Sequence, residues 1–80
     1  MNGDFLRLFS EDTPHYEYVW HRDKKDRWVY VEKCGDAWYY QEDNKEPVLL
    51  EKGTKFFIQS MVYHRLIKGH DDLVIRIKEI

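Results

Sequence analysis

The chain is predicted to be all-β, on three observations. Segments rich in β-branched and aromatic residues recur along it, a composition that suits a pleated, half-buried surface. Each segment is short and is divided from the next by turn-forming residues, at the near-even spacing of a sandwich or barrel. No window carries the apolar period of a helix, because β-branched and aromatic residues recur too often.

Taken in order, residues 1–14 close with Asp12-Thr13-Pro14 and read as an N-terminal arm. Its Phe5, Leu6, Leu8 and Phe9 are apolar and must pack on the rest of the domain or on a neighbouring molecule. A barrel is expected over 15–80. Tyr16–His21 and Arg27–Glu32 carry strand composition, with the polar reversal Asp23-Lys24-Lys25-Asp26 between them. Cys34-Gly35-Asp36 makes the next turn, before Ala37–Gln41. Glu42 to Pro47 makes another, with Pro47 placed to open a strand rather than interrupt one. Val48–Leu50, Lys55–Ile58, Met61–Ile67 and Leu73–Lys78 complete the set, separated by Lys52-Gly53, Gln59-Ser60 and a polar turn over 68–72.

Eighty residues make one domain, 1–80. A domain this small buries only about 60% of the surface that its unfolded chain exposes, so a metal ion or a second subunit is an expected source of added stability. Cys34 is the single cysteine, which excludes an internal disulfide and points to a reducing compartment. The opening Met1-Asn2-Gly3-Asp4 lacks a secretory n-region and the apolar runs are only a few residues long. A soluble cytoplasmic protein without a membrane partner is therefore expected. The formal charge of −2, with acids and bases interspersed, argues against a nucleic-acid partner, which needs a net basic face.

Two motifs carry a resemblance. Gly53 is followed by five residues, then Gln59, Ser60, Met61, two residues and His64. His21-Arg22-Asp23 is followed by Arg27 and by the strand Val29-Tyr30-Val31-Glu32-Lys33-Cys34, which closes on Gly35. In order and spacing these segments resemble the two motifs of the cupin family, over roughly residues 16–79. The second family motif has proline and glycine where this chain has Gln59 and Met61. The first has a second histidine at Asp23 and a glutamate at Arg27. The resemblance implies a small double-stranded jelly-roll β-barrel, with His21, Asp23 and His64 turned inward as metal ligands. It does not fix the chemistry, since one barrel hosts many functions. A guanidinium has no lone pair to donate, so Arg27 cannot replace the glutamate ligand.

Each site residue also has a plainer reading. His64 shares a strand face with Val62 and Leu66, and is either a core histidine held by a backbone carbonyl or a ligand. His21 and Asp23 lie two apart and project to one side of an extended segment, although aspartate is also an ordinary turn former. Two imidazoles and one carboxylate suit Fe(II), Mn(II) or Ni(II) with open positions, and suit a closed zinc site less well. Arg27, on the side of Val29 and Val31, is either a partner for Asp23 or Asp26, or a fork for the carboxylate or phosphate of a substrate. His15, His70 and Arg76 are expected to face water, and Cys34 to be a small turn residue. Trp28, Tyr30, Trp38 and Tyr40 are expected either to line one outer face as an interface or to pack across strands.

The leading functional expectation is a stand-alone cupin with a divalent-metal-capable cavity that binds or acts on a small polar or anionic molecule. The alternatives are a metal-free binding module and a structural or interaction protein without catalytic activity. A homodimer is expected, through residues 1–14 or the Trp28/Tyr30 face.

Overall fold

Strand alternation decides which side chains meet. The computed structural model describes residues 4–80. It contains β1 (Asp4–Phe9), β2 (Arg27–Cys34), β3 (Tyr39–Glu42), β4 (Val48–Leu49), β5 (Lys55–Ile58), β6 (His64–Ile67) and β7 (Leu73–Glu79). These strands form two antiparallel sheets, one ordered β1-β7-β2-β5 and the other β4-β3-β6. The only helical element among the described residues is a 3₁₀ turn over His15–Tyr18. The fold is all-β, as the sequence predicts, but the described strands form two separate sheets and not the closed barrel expected over 15–80.

The core lies between the sheets. Leu73, Ile75 and Ile77 of β7 alternate inward, beside Val29 and Val31 of β2, Phe9 of β1 and Ile58 of β5. Tyr40 of β3, with Trp38 before it and Leu50 just after β4, covers them from the opposite sheet. Burying side chains of this size stabilises the fold by about 1.5–3 kcal/mol each. Ordering the backbone costs about 1–2 kcal/mol per residue, so every member of so small a core matters.

Three elements differ from expectation. First, the arm is an edge strand: β1 pairs with β7 from Asp4↔Lys78 to Phe9↔Leu73, and residues 1–3 of the expected arm lie outside the described residues. Second, Tyr16–His21 is not a continuous strand. Pro14 leads into the 3₁₀ turn, which drives the Tyr18 ring into the core against Phe9 and Trp38, with ring centres 6.0 Å from each. Extended pairing resumes only at His21.

Third, of the two readings of the four aromatics the shared outer face fails, while Trp28 packs across strands on Phe57 with ring centres 5.0 Å apart. Trp28 and Tyr30 belong to one sheet, whereas Trp38 and Tyr40 turn inward from the other and are buried. The Trp38 indole donates to the carbonyls of His70 and Asp71 at 3.2 and 3.1 Å. Glycine is required beside it: a Cβ on Gly69 would lie 2.2 Å from the Asp36 carbonyl oxygen. This contact brings the β2–β3 and β6–β7 turns together at one end of the sandwich, and the opposite end holds the candidate site.

Trp38→Ala removes a fully buried ring and its indole donor. The expected loss is about 3–5 kcal/mol, a large part of the stability of a small domain. Urea unfolding checks it, and a loss below about 1 kcal/mol would contradict this placement of the core.

Candidate functional site: a His-Asp-His cluster

Two backbone hydrogen bonds build the site. His21 N–H donates to the His64 carbonyl at 3.0 Å, and His64 N–H donates to the His21 carbonyl at 2.8 Å. A reciprocal pair of this kind sets two residues directly opposite each other with both side chains on one face. The imidazole centres are accordingly 4.4 Å apart.

Each ring is also oriented by its own strand. His64 Nδ1 lies 2.8 Å from the Val62 carbonyl oxygen, and His21 Nδ1 lies 3.1 Å from that of Val19. Nδ1–H donation to a carbonyl leaves a lone pair on Nε2, the arrangement that supports metal-ligating histidines. Both Nε2 atoms face Asp23.

The β5–β6 loop places Asp23. Met61 N–H donates to the Asp23 carbonyl and Ser60 N–H to Asp26 Oδ1, each at 2.7 Å. Met61 holds this position at a φ of 66°, in the left-handed region that favours glycine. Asp23 is thus a turn residue, and its carboxylate is also turned inward with 15% exposure. Its Oδ2 lies 3.1 Å from His64 Nε2, and its Oδ1 lies 4.0 Å from His21 Nε2. One ligand atom from each of the three residues falls within 4.8 Å of the others.

The protons do not balance at this cluster. Asp23 Oδ2 is buried without a hydrogen-bond partner. Burial, above all, lowers the His64 pKa from 6.5; the charges of His21 and Arg27 add to this, while the Val62 carbonyl and Asp23 oppose it. A neutral His64 has one proton and two acceptors, Val62 O and Asp23 Oδ2. A second positive charge between Nε2 and Oδ2, whether a proton or a metal ion, satisfies both. With metal–ligand bonds of about 2.1 Å, two ligands at a right angle are about 3.0 Å apart, close to the 3.1 Å between His64 and Asp23. His21, 4.0 Å from Asp23 in a group that spreads over up to 4.8 Å, would have to move inward to complete the set.

Arg27 begins β2, and its guanidinium goes to a partner that the sequence does not reveal. Nε and Nη2 donate to Glu79 Oε2 at 3.0 and 2.7 Å, whereas Nη1 reaches Asp23 Oδ2 only at 3.5 Å. Asp26 is not its partner. Arg27 and Glu79 are cross-strand neighbours in the β2–β7 register, which no local motif reports. Nor does the sequence mark Tyr40 and Glu42 as neighbours of the cluster. Tyr40 packs 5.7 Å from the His64 ring and donates to Glu42 at 3.2 Å. Burial first, then the Glu42 charge and hydrogen bond, raises the Tyr40 pKa and keeps the phenol protonated.

His21, His64, Arg27 and the ion pair Arg7–Glu17 (2.6 Å) line the polar side of a partly open cavity of about 80 Å³, whose other walls include Val29, Ile58, Leu66 and Ile77. His15 and His70 are exposed and lie apart from the cluster. Arg76 faces water, paired with Glu32 at 2.7 Å. No helix among the described residues is long and apolar enough to cross a membrane. Comparisons with protein-family models, curated proteins and solved structures gave no match, so the geometry alone carries the functional reading.

The lowered His64 pKa sets a pH dependence. Between the folded pKa and 6.5 the unfolded chain binds the proton more readily. Stability therefore rises with pH across that window and is lost as pH falls below 6.5. In metal-free protein the melting temperature should drop from pH 7 to pH 5, with a shallower slope in His64→Gln. Equal slopes in the two proteins would refute this role for His64.

Proposed function

We propose that the chain is a small cupin-type protein in which His21, Asp23 and His64 hold a divalent cation beside a cavity for a small polar or anionic molecule. The observation that carries this reading is the buried Asp23 Oδ2, which lies 3.1 Å from His64 Nε2 and 3.5 Å from Arg27 Nη1 and accepts no hydrogen bond from the protein. Two imidazoles and a carboxylate leave coordination positions open and favour Fe(II), Mn(II) or Ni(II) over a closed zinc site. A cation held there supplies Lewis-acid chemistry to a molecule in the cavity.

Further support comes from outside the cluster. Counting the His21 bridge as a strand gives eight in chain order, with β1 first, His21 second and β7 last. The sheets then read 1-8-3-6 and 2-7-4-5, an order that supports a double-sheet jelly roll. Met61 stands where the resembled motif has glycine and keeps a glycine-like φ of 66°.

Arg27 has a separate role in this reading. Held on Glu79, it presents positive charge to the cavity wall without consuming Asp23. Its remaining N–H groups suit a carboxylate or phosphate.

Added Fe(II), Mn(II) or Ni(II) at about 100 times the dissociation constant should stabilise the fold by about 2.7 kcal/mol, or about 10–20 °C in a domain of this size. His21→Ala, Asp23→Ala and His64→Ala should each abolish most of that rise. A wild-type melting temperature unmoved by all three metals would remove the metal reading.

Met61→Gly tests the loop separately. It relieves a left-handed strain of about 1–2 kcal/mol against a glycine entropy cost of about 0.5–1 kcal/mol. The variant should be as stable as wild type or up to about 1 kcal/mol more so in urea, and a clear loss of stability would count against a glycine-like role for position 61.

A further inference from the structure

The two sheets have four lateral edges, and among the described residues three are guarded. β4 is only two residues long, β6 is covered by the His21 bridge, and β5 is a four-residue strand opening with Lys55. Short edges, an edge lysine and covering segments are the usual means of blocking edge-to-edge pairing.

β1 has none of these, and its only charges are Asp4 and the inward-facing Arg7. It is six residues long, Asp4-Phe5-Leu6-Arg7-Leu8-Phe9, without proline, lysine or bulge, and is paired on one side only among the described residues. Leu6 and Leu8 on its outer face are 58% and 59% exposed. A strand edge of this kind offers unmet N–H and C=O groups together with apolar side chains.

We infer that β1 pairs antiparallel with β1 of a second copy of this chain across a two-fold axis, joining two four-stranded sheets into one. Residues directly opposite in an antiparallel pair share a face. The outward set Asp4, Leu6 and Leu8 must therefore oppose outward residues, and Phe5, Arg7 and Phe9 must oppose inward ones. A register centred on Leu6 meets this condition over residues 4–8. It sets Leu6 against the partner's Leu6, Asp4 against the partner's Leu8, and Phe5 against the partner's Arg7. Guanidinium over a ring is already a contact of this strand, since Arg7 lies 5.2 Å from the centre of the Phe9 ring. Centring on Arg7, which Glu17 holds at 2.6 Å, still sets two guanidinium groups opposite each other, which is destabilising, and centring on Phe5 or Leu8 pairs only three of the described residues of each strand. The segment is complementary to itself in one register, as an isologous interface requires.

The inference is independent of the metal reading, and its test is run in chelator so that the two fail separately. Sedimentation at high micromolar concentration should give twice the chain mass, and Leu6→Lys should weaken the dimer at least about tenfold with an unchanged circular dichroism spectrum. Should Leu6→Lys not fold, a cysteine pair carries the test. In a Cys34→Ser background, Leu6→Cys should form an intermolecular disulfide under mild oxidation. Leu8→Cys should not, because its two copies would stand about 13–14 Å apart along the strands. A monomeric wild type, a dimer indifferent to Leu6→Lys, or equal cross-linking at positions 6 and 8 would each overturn the proposal.

Discussion

The exchange of hydrogen bonds between His21 and His64 ties together what would otherwise be two unrelated stretches of chain. It closes the outer edge of the three-stranded sheet and faces two imidazoles across a fixed gap. It also holds the segment that leads to Asp23 beside the start of β6. Because the contact is made by backbone groups, it depends on register more than on side-chain identity. The chemistry of the cluster is then supplied by the side chains that this register happens to align, a division of labour that lets a common frame carry different ligand sets.

Charge around the cluster is apportioned with similar economy. Arg27 stands near three carboxylates of the turn and the β7 end, and its shortest contacts are with Glu79. Asp26 is engaged by the Ser60 amide. What remains is one inward carboxylate, Asp23, with two imidazoles and no strong competitor. Had Arg27 formed its short contacts with Asp23, the guanidinium would have supplied the missing positive charge. The strand register that gives Arg27 a different acid therefore keeps the cluster available to a cation.

Much of this was legible in the sequence, for identifiable reasons. Local composition marks strands wherever both faces of the segment obey alternation, as over Arg27–Glu32 and Leu73–Lys78. The same signal misleads at Tyr16–Tyr18, where Pro14 and the fit of the Tyr18 ring into the core override strand propensity. It also misplaces Trp38 and Tyr40, because composition does not say which sheet a strand joins. The spacing of His21, Asp23 and His64 drew attention to the three residues that lie together. Glu79 was beyond reach, since only the pairing of β2 with β7 makes it a neighbour of Arg27. Pairing between distant segments is set by the whole fold and leaves little local trace.

The placement of β7 bears on how the molecule is made. The last strand in the chain is not at the margin of its sheet but lies between β1 and β2. Until it is in place, the larger sheet has an empty slot, Leu73, Ile75 and Ile77 are absent from the core, and Arg27 has no Glu79. Partial folding during synthesis can thus gain little, because β1, made first, pairs only with β7 among the described residues and has no place in the sheet until β7 lies beside β2. Topologies with such distant pairings fold slowly for their size. They also leave a vacant strand position into which the corresponding segment of a neighbouring chain can be exchanged.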